Sequence, residues 1–289
     1  MRARLCSGPE VPGAILRRDR PVQSSSTRFS TPLSTRLAKS PAMDHLENCE
    51  LLEGEIERFA SLVESTTPSI SVPSCPGWTV GDLVVHLGSV HRWAEYLVKL
   101  RAPSRMAPLE SATDYAPGGD WIRRGGASLL STLRTAEPTT AMWAWGRDQH
   151  VRFWSRRQLH ETLIHRFDLE LAKAEPPSAP GHVVVDTIDE FLDNLDAAAY
   201  FSPKVARLRG EGETIVFRAL DTGHSWTVTL RPDRFEVEPD EQPANASLSG
   251  PALELSLVMY RRKALAGSEL EVEGSADLVA FWLANSALE

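Results

Sequence analysis

Leu159-His160-Glu161-Thr162-Leu163-Ile164-His165-Arg166-Phe167-Asp168 lies inside a stretch, about Gln149 to Ala174, that reads as one long helix. On a helix, residues four apart share a face one turn apart, so Glu161 and His165 project together and could reach one ion. The spacing is H-E-x-x-x-H and not the metalloprotease H-E-x-x-H, which moves His160 off the Glu161–His165 face. A structural zinc site wants four protein ligands, usually including cysteine. A catalytic one wants three N/O ligands and an open position. The third ligand is then His86, on an earlier helix, three residues after Leu83 and four before Val90, bordering the buried stripe. One His from one helix with a Glu and a His from another is a normal way to build a metal site in a bundle core. The same residues also admit plainer readings. A Glu-x-x-x-His pair is often an exposed helical pair, and a His beside an apolar stripe is often a hydrogen-bonded core residue.

Outward from that stretch, three further helices precede it. Leu46, Leu51, Leu52, Ile56 and Phe59 mark the first, about Asp44 to Val63. After the turn formers Cys75-Pro76-Gly77-Trp78, Thr79 is a helix cap with Asp82 three residues on, and Leu83, Leu87, Val90, Ala94 and Leu97 carry a helix to about Leu100. A third runs from about Trp121 to Arg134. Pro176, Pro177, Pro180 and Gly181 make a linker, and beyond it the periodicity changes. A helix (about Val183 to Ala199) precedes strands near Thr214–Ala219, Ser225–Leu230 and Arg234–Val237, with Asp221-Thr222-Gly223 as a hairpin turn. A short strand (Ala246–Leu248), a helix (Ala252–Ala264), a strand (Leu270–Val272) and a terminal helix (Ala276–Ala284) complete an α+β pattern. The reading is a disordered leader over 1–42, a four-helix metal-binding bundle over 43–177 and an α+β domain over 181–289.

Composition narrows the class. The 289 residues carry a net charge of −8, which argues against nucleic acid as the main partner. Residues 1–42 hold seven Arg and one Lys against Glu10 and Asp19, a balance of +6, so the remainder carries −14. That leader is rich in Arg, Ser and Pro without periodicity, the mark of disorder or of sequence upstream of a start at Met43. No apolar run approaches the roughly 20 residues of a membrane span. Cys6, Cys49 and Cys75 show no C-x-x-C spacing, and so sparse a set suits a reducing, cytoplasmic compartment.

Three motifs together carry a resemblance. Val72-Pro73-Ser74-Cys75-Pro76-Gly77-Trp78-Thr79-Val80 followed by Asp82-Leu83-Val84-Val85-His86-Leu87, then Arg156-Arg157-Gln158-Leu159-His160-Glu161 ending in His165-Arg166-Phe167-Asp168, resemble the two N-terminal signatures of the mycothiol-dependent maleylpyruvate isomerase family. Ala246-Ser247-Leu248-Ser249-Gly250-Pro251, Arg261-Arg262 and Glu271-Val272-Glu273-Gly274 resemble its second domain. The resemblance covers about residues 43–289. It implies a DinB-like four-helix bundle joined to an α+β domain similar to sterol-carrier proteins. It implies zinc, or another divalent metal, on His86, Glu161 and His165, with mycothiol as thiol cosubstrate. It also implies an active-site arginine from the C-terminal domain, for which Arg261 and Arg262 are the candidates. The expected function is an isomerase or thiol S-transferase acting on a small electrophile. The alternative is a metal- or ligand-binding protein without turnover. A more distant one is a hydrolase using metal-activated water, with Asp168 as its base.

Neighbouring residues read as follows. His91, five after His86, is turned about 140° away and is no co-ligand. Asp168 either orients His165 or pairs with an arginine. Cys75 is a small packing residue or a soft extra ligand. Trp143 and Trp145 fill core or line a pocket mouth. Arg156 and Arg157 meet a substrate's carboxylates or the protein's own.

Overall fold

The computed structural model describes residues 43–107 and 117–287; the expected leader lies outside the described residues. Four helices come first: α1 (His45–Glu64), α2 (Val80–Leu100), α3 (Gly119–Thr135) and α4 (Val151–Ala172). Local chemistry sets their starts. Asp44 caps α1 by accepting from the Glu47 N–H at 2.9 Å. At α2 the Thr79 hydroxyl accepts from the Asp82 N–H (3.2 Å) and the Asp82 carboxylate from the Thr79 N–H (2.9 Å), a complete capping box. That box fixes where α2 begins, and with it the direction in which His86 points. Leu52, Phe59, Leu83, Leu87, Leu97, Ile122, Leu129 and Leu159 build one apolar cluster between the helices. Burying each such side chain contributes roughly 1.5–3 kcal/mol. At Gly88 α2 and α3 come so close that a Cβ would lie 1.9 Å from the Trp121 ring.

Helix α4 departs from the amphipathic pattern. It is buried on nearly every side, its polar residues Arg157, Gln158, His160, Thr162, His165, Arg166 and Asp168 included. Leu159 and Leu169 belong to the bundle's apolar cluster, whereas Leu163, Ile164 and Phe167 belong to a second cluster built by the rest of the chain. α4 is therefore a shared wall.

The second half comprises α5 (Gly181–Asn194), two 3-10 turns (Ala197–Tyr200 and Pro203–Arg207), β1 (Thr214–Ala219), β2 (His224–Leu230), β3 (Phe235–Glu238), β4 (Ala246–Gly250), α6 (Ala252–Met259), β5 (Glu271–Gly274) and α7 (Ala276–Asn285). The sheet order is β3-β2-β1-β4-β5, with β1 parallel to β4 and all other pairs antiparallel. The hairpin forms as expected: Ala219 pairs with His224 and Gly223 takes φ 73°, where glycine avoids the Cβ penalty. A helical N-terminal domain followed by an α+β domain is thus the fold class expected from the sequence.

One boundary differs in a way that matters. α6 stops at Met259, five residues short of the expected Ala264. Arg261 adopts φ 62°, its N–H donates to the Val258 carbonyl, and the Arg262 N–H donates to that of Leu257. Both bonds of a Schellman ending are present, with arginine where glycine usually sits, at a conformational cost of roughly 1–2 kcal/mol. This turn sends Arg262 back towards α4.

Candidate metal centre

His86 of α2 and Glu161 and His165 of α4 come together. Their ligand atoms all lie within 4.8 Å of one another, and no fourth His, Cys, Asp or Glu joins them among the described residues. Glu161 Oε1 is 3.3 Å from His86 Nε2 and 3.3 Å from His165 Nε2. Those separations match the edge, about 3.4 Å, of a tetrahedron of 2.1 Å metal–ligand bonds. The side chains are nearly enclosed, 10%, 14% and 4% exposed for His86, Glu161 and His165. The Trp78 ring lies 5.0 Å from the His86 imidazole and covers one side.

The hydrogen bonds say what the cluster would accept. Asp168 Oδ2 is 2.8 Å from His165 Nδ1 and can only accept, so a proton sits on Nδ1. In neutral His165 the Nε2 lone pair then faces the Glu161 carboxylate, acceptor against acceptor, an arrangement satisfied by a cation between them. Where no metal is present a proton takes that place. Burial disfavours the His165 imidazolium, but its hydrogen bonds to Asp168 and Glu161 outweigh this and raise its pKa. Burial lowers that of His86. Glu161 is held well below the usual carboxylate range, because hydrogen bonds from His165 and His86 and the Arg157 charge outweigh its burial. Two neutral imidazoles and a carboxylate fit a divalent ion of the zinc type.

Both domains supply what surrounds the cluster. Asp168, fully buried, accepts from Ser74 Oγ (2.6 Å) and from Arg262 Nε and Nη2 (3.0 Å each) as well as from His165. It is therefore both the orienting group and the arginine partner, two roles that the sequence left as alternatives. With its oxygens so engaged it is not placed to act as a hydrolase's base. Arg157 donates to Glu161 Oε2 at 3.1 Å and to Glu190 Oε2 of α5 at 2.5 Å. His160 points away, to Asp186 (2.7 Å) and Thr187 (2.9 Å) on α5. Arg156 grips Asp186 and Asp193. Both arginines thus meet the protein's own carboxylates, across the interface between domains.

The chain matches known proteins over most of its length. The family model for the mycothiol maleylpyruvate isomerase N-terminal domain matches residues 49–170, and that for the C-terminal domain of the same enzymes matches 182–281. The chain belongs to this family. A solved variant of the mycothiol-dependent maleylpyruvate isomerase is similar at 13% identity with TM-score 0.51, covering 79% of this chain and 93% of that one. A ubiquinone synthesis protein described as UbiJ-SCP2 is 22% identical over 37% of this chain and 96% of its own, with TM-score 0.29. No curated protein matches.

The two candidate arginines have different partners. Arg262 reaches the cluster through Asp168, whereas Arg261 turns away and donates to the Leu283 carbonyl at 2.8 Å. His91 is fully buried, with its pKa lowered by burial to about 3. Because Thr162 already donates to the Gln158 carbonyl, it accepts from His91 Nε2 (2.9 Å), so His91 supports α4 from outside the cluster. Trp143 packs edge-on against Trp93, and Trp145 against Phe153 and Phe201. Cys75 is buried and stands apart from the three-residue cluster. Ser74 and Glu190 were not foreseen. The signal for Glu190 was present in Asp186, Glu190 and Asp193, an acidic stripe at helical spacing on α5 that mirrors Arg156, Arg157 and His160 on α4.

Proposed function

We propose that this protein is a mycothiol-dependent enzyme that holds a divalent metal, zinc first, on His86, Glu161 and His165, and acts as an isomerase or thiol S-transferase on a small electrophile. The observation that carries this reading is a three-member N/O donor set with no fourth protein ligand beside it among the described residues. Such a set leaves a position open, as chemistry requires and scaffolding does not. The family description supports the thiol and the isomerisation, since it names both.

A divalent ion bound there would supply the charge that keeps a nearby thiol ionised at neutral pH. The residues of the chain do the rest. Asp168 holds the proton on His165 Nδ1 and so keeps Nε2 free as a ligand. Arg262 and Arg157 neutralise Asp168 and Glu161. Asp168, Glu161 and Glu190 against Arg157 and Arg262 leave the inner charge at −1, which a divalent ion converts to +1. One anionic ligand then restores neutrality, as a thiolate does. A thiolate can add to a conjugated alkene, allow rotation about the resulting single bond and leave again, or it can stay attached; both reactions ask the same of these residues.

Metal content of purified protein beside His86→Ala and Glu161→Ala variants is the test, followed by mycothiol turnover with maleylpyruvate. We expect about one zinc per chain, lost in both variants. Wild-type protein that stays metal-free after incubation with zinc would sink the assignment. Metal without any thiol reaction would leave a binding protein without turnover.

A further inference from the structure

Glu161 divides its two oxygens between two tasks. Oε1 faces both imidazoles at 3.3 Å, while Oε2 accepts from Arg157 at 3.1 Å. Arg157 is in turn gripped from the other domain. Glu190 Oε2 of α5 accepts from it at 2.5 Å, and Glu190 Oε1 accepts from the Asn194 amide at 3.1 Å. The Arg157 side chain is 6% exposed and that of Glu190 1%, so water does not compete for these bonds. The guanidinium also lies over the Trp145 ring at 5.9 Å. Arg156, one residue earlier, likewise bridges the domains, yet its carboxylate partners are Asp186 and Asp193, and none of its contacts reaches the cluster. Two adjacent arginines thus dock the same pair of helices, and one of them also engages a ligand.

We propose that Arg157, held by Glu190 of the C-terminal domain, is a positioning residue that occupies one oxygen of Glu161 so that only the other is presented to the metal. This rests on the reading of His86, Glu161 and His165 as a metal site. A carboxylate with both oxygens free can grip a cation with both and fill the position a substrate needs. One already committed to a guanidinium offers one oxygen in a fixed direction. Arginine suits this place because its planar fork serves two carboxylates at once, which the point charge of lysine does not.

The test uses full-length protein loaded with Co²⁺, comparing wild type with Arg157→Lys, Glu190→Gln and, as a docking control, Arg156→Lys. Affinity is read by chelator competition and coordination number by the intensity of visible absorption. We expect Arg157→Lys and Glu190→Gln to bind Co²⁺ about 10–100-fold more weakly. Their absorption should drop towards that of a higher-coordinate ion, with far-UV circular dichroism unchanged, whereas Arg156→Lys keeps the wild-type spectrum. If Arg157→Lys fails to fold, Glu190→Gln carries the test alone, because it keeps the side chain's shape. Folded variants with wild-type affinity and spectrum would overturn the proposal and leave the metal site standing, and equal effects in Arg156→Lys would reduce Arg157 to a docking contact. Wild-type protein that takes up no cobalt removes the metal reading and this inference together.

Discussion

Asp168 takes hydrogen bonds from three residues at no exposure, and its partners come from the loop before α2, from α4 itself and from the turn after α6. Replacing it with asparagine puts an amide where a carboxylate balanced the Arg262 charge and fixed the His165 tautomer. We expect Asp168→Asn to weaken zinc binding about 10–100-fold by chelator competition. Protons should compete for the same place. Since the pKa of His165 is raised, zinc affinity should begin to fall as pH is lowered while still above the ordinary histidine value of 6.5. An affinity that stays flat from pH 8 to 6 would count against His165 as a ligand. At this scale the sequence was legible where the relation is local. Glu161–His165 and His165–Asp168 are one helical turn apart, and His86 could be placed from its register against Leu83 and Val90. Ser74 and Glu190 could not be placed, because their proximity depends on how a loop and a second domain pack onto α4.

Helices α2 and α4 reach their positions by different physics. For α2 it is capping and close packing, so single changes there should cost measurable stability. Thr79→Ala should lower the urea unfolding free energy by about 0.5–2 kcal/mol through loss of the capping box. Gly88→Ala should lower it by about 1–3 kcal/mol or more, since the added methyl meets the Trp121 ring. α4 owes its place to polar satisfaction as much as to apolar burial. Each buried donor or acceptor left unpaired costs roughly 1–3 kcal/mol, and its arginines, histidines and Asp168 find partners on α1, α2 and α5 and after α6. The helix and strand spans were largely readable from periodicity and turn residues. The early stop of α6 was not, because nothing local in Tyr260-Arg261-Arg262 announces a left-handed arginine. That conformation persists because the Schellman bonds, the Leu283 carbonyl and Asp168 hold the two arginines from several sides.

For the molecule as a whole, the interface between domains is lined with charges that are buried and paired. Asp168 and Asp186 have pKa values lowered in the folded state because arginine and histidine partners outweigh their burial, and Glu161 likewise. A carboxylate with a depressed folded pKa stabilises the fold above its unfolded value, near 4, and that contribution is lost as pH falls towards the folded value. The urea midpoint of metal-free protein should therefore decline steeply below about pH 4, and less steeply in Asp186→Asn, which has given up part of the contribution already. The shared wall also has a consequence for how the protein is made. Arg262 lies 94 residues after the Asp168 it pairs with. At the pace of a ribosome, roughly 5–20 residues per second, α4 emerges about 5–20 seconds before the partner that will neutralise its buried aspartate. Through that interval Leu163, Ile164 and Phe167 have only α5, and not the sheet and α6, to complete their cluster. The nascent bundle must wait half-dressed, and that is the window in which a chaperone, or an early metal ion, would matter most.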